Sequence, residues 1–164
     1  MQLDTIAIKN FHCFGPDGVS IELAEPVTAL IGANGSGKTA VFQALSRMFG
    51  IGSGNRTLEK TDFHLPSEAD DLESETELQI EAIFSFPELD EDDAGAAVAE
   101  FWTQLSASDP DEPLKTRILL KAVWIDDGTP DGVVESSLRW VPRMDDDYTW
   151  ESCKPVTAAQ RSAI

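Results

Sequence analysis

Apolar positions along the 164-residue chain recur with two periods, and the switches between them mark its elements. Leu3, Ile6, Ile8 and Phe11 fall near a two-residue period, and Val19, Ile21 and Leu23 alternate after Gly15-Pro16-Asp17-Gly18, which predicts a hairpin-like pair of strands. Val27-Thr28-Ala29-Leu30-Ile31 is a continuous apolar run ending at Gly32, the pattern of a strand covered on both faces. Past a glycine-rich turn, Val41, Leu45 and Met48, flanked by Phe42 and Phe49, recur at helical spacing; they predict a helix from about Lys38 to Phe49 with Gly50 as its C-cap. Residues 50 to 75 show no sustained period and read as a long loop. Leu78, Ile80, Ala82, Phe84 and Phe86 then alternate with Glu77, Gln79, Glu81, Ile83 and Ser85, a strand with one wet face ended by Pro87. Val98, Phe101, Trp102 and Leu105 stand at i, i+3, i+4 and i+7, which predicts an amphipathic helix between Asp90 and Leu105, with Asp90 to Asp93 at the positive end of its dipole. Leu114 to Ile125 and Val133 to Val141 are two further strands, joined as a hairpin through residues 126 to 132. From Arg143 to Ile164 no closing element is predicted, so the chain is expected to be a truncated piece of a larger domain.

Composition allows a core and excludes several classes. The 41% of hydrophobic residues together with 11 glycines lie in the range of globular chains, so wholesale disorder is not expected. No apolar stretch approaches bilayer length, and the N-terminus mixes charged and apolar residues, which predicts neither a membrane span nor a signal peptide. Cys13 and Cys153 have no metal-like spacing; a reducing, cytoplasmic setting is the simplest expectation.

The formal charge of −18 is unevenly spread. Residues 1 to 60 hold five basic side chains (Lys9, Lys38, Arg47, Arg56, Lys60) and five acidic ones (Asp4, Asp17, Glu22, Glu25, Glu59), so their net charge is zero and the whole excess falls in residues 61 to 164. A phosphate ligand therefore belongs to the first part, where the local potential is not repulsive.

That first part contains Gly32-Ala33-Asn34-Gly35-Ser36-Gly37-Lys38-Thr39, which matches G-x-x-x-x-G-K-[ST]. Glycines at 32, 35 and 37 are expected to allow φ > 0 and close backbone approach, so that successive N–H groups face inward as an anion nest. The following helix adds free N–H groups and its positive dipole end. Lys38 supplies a cation for the β- and γ-phosphates, and the Thr39 hydroxyl is a hard oxygen for Mg²⁺. The expected cofactors are ATP and Mg²⁺, with Asn34, Gly35, Ser36, Gly37, Lys38 and Thr39 on the nucleotide and Thr39 also on the metal.

Leu3-x-x-Ile6-x-Ile8-x-Asn10-Phe11-x-x-Phe14, followed by a strand pair and Leu30 to Thr39, resembles the opening of ABC-type ATPase heads of the RecF, structural-maintenance-of-chromosomes (SMC) and overcoming-lysogeny-defect (OLD) groups. It is most similar to the OLD-family ATP-dependent endonucleases, partly through Thr61-Asp62-Phe63-His64. The resemblance is strong over residues 1 to 50, weaker over 51 to 90, and beyond that rests on strand order. It implies an α/β P-loop NTPase fold of ABC-head type, here the N-terminal lobe over residues 1 to 164, with a mixed sheet whose antiparallel portion flanks the phosphate-loop strand. It also implies an ATPase head that dimerises around ATP and is followed by a Toprim nuclease domain acting on DNA. The family's signature motif, its hydrophobic run ending in Asp-Glu and any Toprim acidic set are missing here, so no catalytic residue is assigned in this chain and nucleotide turnover by it alone should be slight. The resemblance adds Asn10 and His12 to the nucleotide contacts; where the family often has Arg after the Asn-Phe pair, this chain has His12. The expected partners are nucleotide, a second head in the full-length protein and DNA bound through regions absent here, with no membrane. A RecF- or SMC-like clamp without nuclease activity is the alternative, and a nucleotide-sensing lobe without hydrolysis is a third.

Other chemistry is less well supported. Asp62 and His64 at i, i+2 have no third metal ligand, and the acidic clusters lack EF-hand spacing, so both read as surface or loop-fixing features. Cys13 has no recognisable base beside it. The tryptophans at 102, 124, 140 and 150 accompany apolar positions or strand ends and read as core.

Overall fold

The computed structural model describes residues 1 to 23, 27 to 66, 72 to 87 and 114 to 163. Its centre is a six-stranded sheet in the order β2-β1-β3-β4-β5-β6, built from β1 (Gln2–Lys9), β2 (Val19–Glu22), β3 (Glu75–Ser85), β4 (Lys115–Ile125), β5 (Val133–Val141) and β6 (Lys154–Pro155). Each described pairing is antiparallel. The expected hairpins β1–β2 and β4–β5 are present, and β3 inserts between them to join the two. β3 and β4 stay in register over their whole length, from Glu75 opposite Ile125 to Ser85 opposite Lys115. The β1–β3 ladder slips once between Leu3 and Thr5.

Alternation along these strands gives the sheet two unlike faces. One carries Ile6, Ile8, Leu78, Ile80, Ala82, Phe84, Ile118, Leu120, Ala122, Trp124, Leu138 and Trp140, all buried. Helix α1 (Lys38–Phe49) covers this face with Ala40, Val41, Ala44 and Met48, the i, i+1, i+4, i+8 stripe of an amphipathic helix, while Phe49 meets Phe84 edge-on at 5.6 Å. The other face is polar around Glu77, Gln79 and Lys121, and a smaller cluster of Leu119, Val141 and Cys153 lies there under Tyr148 and Trp150. Arg117 fastens that covering segment through Asp146 (2.8 Å) and the carbonyls of Met144 and Asp145, and pairs with Glu81 at 2.7 Å. The tryptophans follow expectation in part: Trp124 and Trp140 are core, Trp150 is half-buried on the second face, and Trp102 lies outside the described residues.

Helix α1 begins and ends where its sequence predicts. Gly50 closes it, its N–H meeting the Ser46 carbonyl at 2.9 Å; a Cβ there would lie 2.6 Å from that oxygen. The loop expected over 50 to 75 holds a short helix, α2 (Ser53–Arg56), and a 3₁₀ turn at Lys60–Asp62. The helix expected between Asp90 and Leu105 lies outside the described residues.

Two expectations are corrected. Val27 to Ile31 is not a strand, so among the described residues it is the antiparallel portion of the expected sheet that forms; Val27 is 78% and Ile31 93% exposed. An apolar run of this kind becomes a strand when layers cover both of its faces; here only Leu30 packs against the core, and Val27 and Ile31 stay exposed. The segment after Arg143 does close: a 3₁₀ turn (Trp150–Ser152), β6 and helix α3 (Ala158–Ala163) follow. The start of α3 is a capping box: the Gln160 side chain accepts the Thr157 N–H at 3.0 Å, and the Gln160 N–H reaches the Thr157 hydroxyl at 3.3 Å. Arg161 then caps α1, donating to the carbonyls of Arg47 (3.0 Å) and Met48 (2.7 and 2.9 Å).

Candidate phosphate-binding site

The loop from Gly32 to Thr39 leads into α1, so its last residues coincide with the first turn of the helix, where N–H groups have no intrahelical acceptor. Gly35 (φ +83°) and Gly37 (φ +91°) adopt the left-handed conformation that the motif predicts. Gly32 does not, and its glycine serves closeness instead: a Cβ there would stand 2.7 Å from the Ser36 hydroxyl. Gly37 is constrained twice, because a Cβ would also meet Phe14 at 2.6 Å and the Cys13 sulfur at 3.0 Å. The N-terminal turn 11–14 thus packs directly against the phosphate loop.

Lys38 turns back over the loop. Its Nζ donates to the carbonyls of Gly32 (2.8 Å) and Ala33 (2.7 Å) and lies 3.3 Å from the Ser36 Oγ. An open depression of about 400 Å³ is lined by Asn34, Gly35, Gly37, Lys38, Thr39, Ala40, Gln43, His12 and Cys13. Of the expected contacts, the loop residues Asn34, Gly35, Gly37, Lys38 and Thr39 meet there with His12, while Ser36 holds the lysine. Asn10 is not brought to this depression. It sits at φ +53° and donates its side-chain amide to the Glu77 carbonyl at 2.8 Å, fixing the turn to β3.

The turn's other support is of the loop-fixing kind expected of Asp62 and His64, though the residue they hold, His12, was not named for it. His12 (φ +48°) donates its backbone N–H to the Asp62 carbonyl at 2.9 Å, and His64 Nδ1–H donates to the His12 carbonyl at 2.8 Å. Asp62 is buried and binds Arg47 of α1 through Oδ1 at 3.0 and 3.2 Å. The pairing of Asp62 with His64 weighed as a metal site is therefore absent: each faces a different partner, and among the described residues no cluster of three or more His, Cys, Asp or Glu could hold a metal.

The donor set fits a nucleoside triphosphate with Mg²⁺: two left-handed glycines, a helix N-terminus, a lysine ammonium and the exposed Thr39 hydroxyl, in the part of the chain with no net negative charge. The fold and the loop are those of a P-loop NTPase head of the ABC type. A family profile described as "AAA ATPase domain" matches residues 1–119, and the chain belongs to that family. Among solved structures, one on ATP-driven dimerization and DNA-stimulated activation of SMC ATPases is 13% identical over 99% of this chain and 76% of the other, with a TM-score of 0.54. An SMC head bound to the C-winged helix domain of ScpA is 16% identical over 99% of this chain and 39% of its own (TM-score 0.55). An SMC head with extended coiled coil, bound to the C-terminal domain of ScpA from Pyrococcus furiosus, is 15% identical over 98% and 31% (TM-score 0.52). At such identities the likeness is one of fold. No curated protein matches the chain. Among the described residues no helix is long and apolar enough to cross a membrane.

Proposed function

We propose that the chain is the N-terminal, ATP-binding lobe of an ATP-dependent DNA endonuclease of the OLD type. The observation that carries ATP binding is the phosphate loop itself, with Gly35 and Gly37 left-handed and Lys38 poised over it at the start of α1. Asn34 to Lys38 would hold the phosphates, Thr39 would bind Mg²⁺, and His12 would meet the nucleotide from the N-terminal turn. Asn10 would act indirectly by fixing that turn. Bound Mg²⁺ would neutralise phosphate charge. The exposed Val27 and Ile31 and the exposed Phe42 of α1 support the lobe reading, because an apolar partner layer would cover such side chains. The nuclease part of the proposal rests on the resemblance over residues 1 to 50 and 61 to 64.

Equilibrium titration with Mg-ATP tests the site. Losing the Lys38 ammonium removes charge-assisted contacts of about 1.5–3 kcal/mol, so Lys38→Ala should weaken binding by about 10- to 100-fold. Equal affinity in the two proteins would sink the assignment.

A second reading, an SMC- or RecF-like clamp without nuclease activity, draws on the fold likeness to SMC heads. Metal-dependent cleavage of DNA by the full-length protein separates the two: cleavage supports the first, and its absence in a protein that hydrolyses ATP supports the second.

A further inference from the structure

Asp62 stands at the centre of a cluster that the phosphate loop does not explain. Its side chain is 1% exposed. Oδ1 receives Nε (3.2 Å) and Nη2 (3.0 Å) of Arg47, and Oδ2 receives the backbone N–H of Glu59 at 2.9 Å. The remaining neighbour is His12, whose buried Nε2 lies 3.4 Å from Oδ1 without completing a hydrogen bond. The same residue lines the phosphate-loop depression beside Lys38 and Thr39. With Nε2 turned to the carboxylate, Nδ1 is the ring nitrogen left for a ligand.

We propose that Asp62 is a positioning residue that holds His12 as a proton-accepting contact for the nucleotide's phosphates, so that binding of Mg-ATP draws one proton into the site. The inference rests on the ATP-binding reading above. A neutral imidazole with its proton on Nε2, toward Asp62, offers a lone pair at Nδ1, which repels a phosphate oxygen. Protonation turns Nδ1 into a donor and sets an imidazolium between the Asp62 carboxylate, already paired with Arg47, and the phosphates, where the new Nδ1–H bond is charge-assisted. Each reactant is accounted for: the proton comes from solvent, binds Nδ1, and returns when the nucleotide leaves.

The surroundings favour the neutral ring until a ligand arrives. The charged and titratable groups around it are Asp62 from the 3₁₀ turn, Arg47 from α1, Lys38 in the depression, His64 at its backbone carbonyl and the adjacent Cys13. Arg47 is paired with Asp62 and offsets part of the carboxylate's pull on a ring proton. Burial lowers the His12 pKa below 6.5; Asp62 opposes this and Arg47 adds to it. The phosphates supply the negative charge that is missing. The bound state then carries more protons than the free state, so affinity rises as pH falls, by at most about tenfold per pH unit for one linked proton.

The test is Mg-ATP affinity between pH 6 and 8.5 for the wild type, His12→Gln and Asp62→Asn, with proton uptake read by calorimetry in buffers of different ionisation heat. The wild type should lose about tenfold in affinity or more across this range and take up a fraction of a proton near pH 7. His12→Gln should be flatter and take up less; titration of ATP itself is common to all three proteins and cancels in the comparison. Asp62→Asn should push the pH dependence to lower pH, and if that variant does not fold, His12→Gln decides alone. A His12→Gln protein that binds with the wild-type slope and proton uptake overturns the proposal. Failure of the ATP reading would look different: no binding at any pH, or binding that Lys38→Ala leaves intact.

Discussion

Gly37→Ala tests whether the N-terminal turn and the phosphate loop form one packed unit. Two costs add at this position. The residue sits at φ +91°, where a Cβ costs about 1–2 kcal/mol. That Cβ would also lie 2.6 Å from Phe14 Cζ and 3.0 Å from Cys13 Sγ, and overpacking of this kind costs about 1–3 kcal/mol. Gly35→Ala is the matched control: its φ is +83°, yet nothing lies within 4 Å of the added carbon. Both variants restrict the unfolded chain equally, an opposing gain of about 0.4–1 kcal/mol that cancels in the comparison. Gly37→Ala should therefore be less stable than Gly35→Ala by about 1–3 kcal/mol in urea unfolding, or about 2–12 °C in melting temperature. Adding Phe14→Ala should recover much of that difference, because it removes the closest of the contacting groups. Equal destabilisation by the two alanines, with no coupling between Gly37→Ala and Phe14→Ala beyond about 0.5 kcal/mol, would refute the packing of Phe14 on the loop.

Two further outcomes follow from contacts away from the loop. Arg161→Ala removes the guanidinium that caps the Arg47 and Met48 carbonyls; it should cost about 1–3 kcal/mol in urea unfolding while leaving Mg-ATP affinity within about twofold, and a larger loss of affinity would contradict a purely structural cap. Cys13 is exposed beside the loop, whereas Cys153 is buried and burial pushes its thiol pKa up. A thiol reagent should label Cys13 at least about tenfold faster, and saturating Mg-ATP should protect Cys13 alone; fast labelling of both would show that the cluster around Leu119 and Val141 is open.

How far the fold could be read from the sequence depended on how local each signal is. α1 was legible because the phosphate loop fixes its start and Val41, Leu45 and Met48 fix its face. β3 was legible through its alternation, and β4 and β5 as apolar runs on either side of the turn over residues 126 to 132. Their order was not: that β3 lies between the two hairpins is a matter of long-range pairing, to which a two-residue period is silent. Val27 to Ile31 misled for a physical reason. Its composition reports the surroundings a segment needs, and the described structure does not supply them. Helix α3 was missed despite a readable signal, Thr157-x-x-Gln160, because no apolar period accompanies so short a helix.

The candidate site divides the same way. Gly35, Gly37, Lys38 and Thr39 are neighbours in sequence, so the geometry that makes them an anion nest is encoded in one short segment. Asp62 is different: its importance comes from meeting Arg47 and His12, and those three residues come from separate loops and a helix brought together only when α1 docks on the sheet. Sequence spacing set aside an Asp62–His64 metal pair and left both as loop-fixing or surface residues; it could not name what they bind, the carboxylate on Arg47 and the imidazole on the His12 carbonyl. The consequence is chemical as well as architectural. A permanently charged arginine after the Asn-Phe pair would need no counter-ion network to meet a phosphate, whereas under the proposal above His12 would meet it as an imidazolium. Burial is the chief influence on that ring and lowers its pKa; Asp62 opposes this and Arg47 adds to it, and both lie far from His12 along the chain.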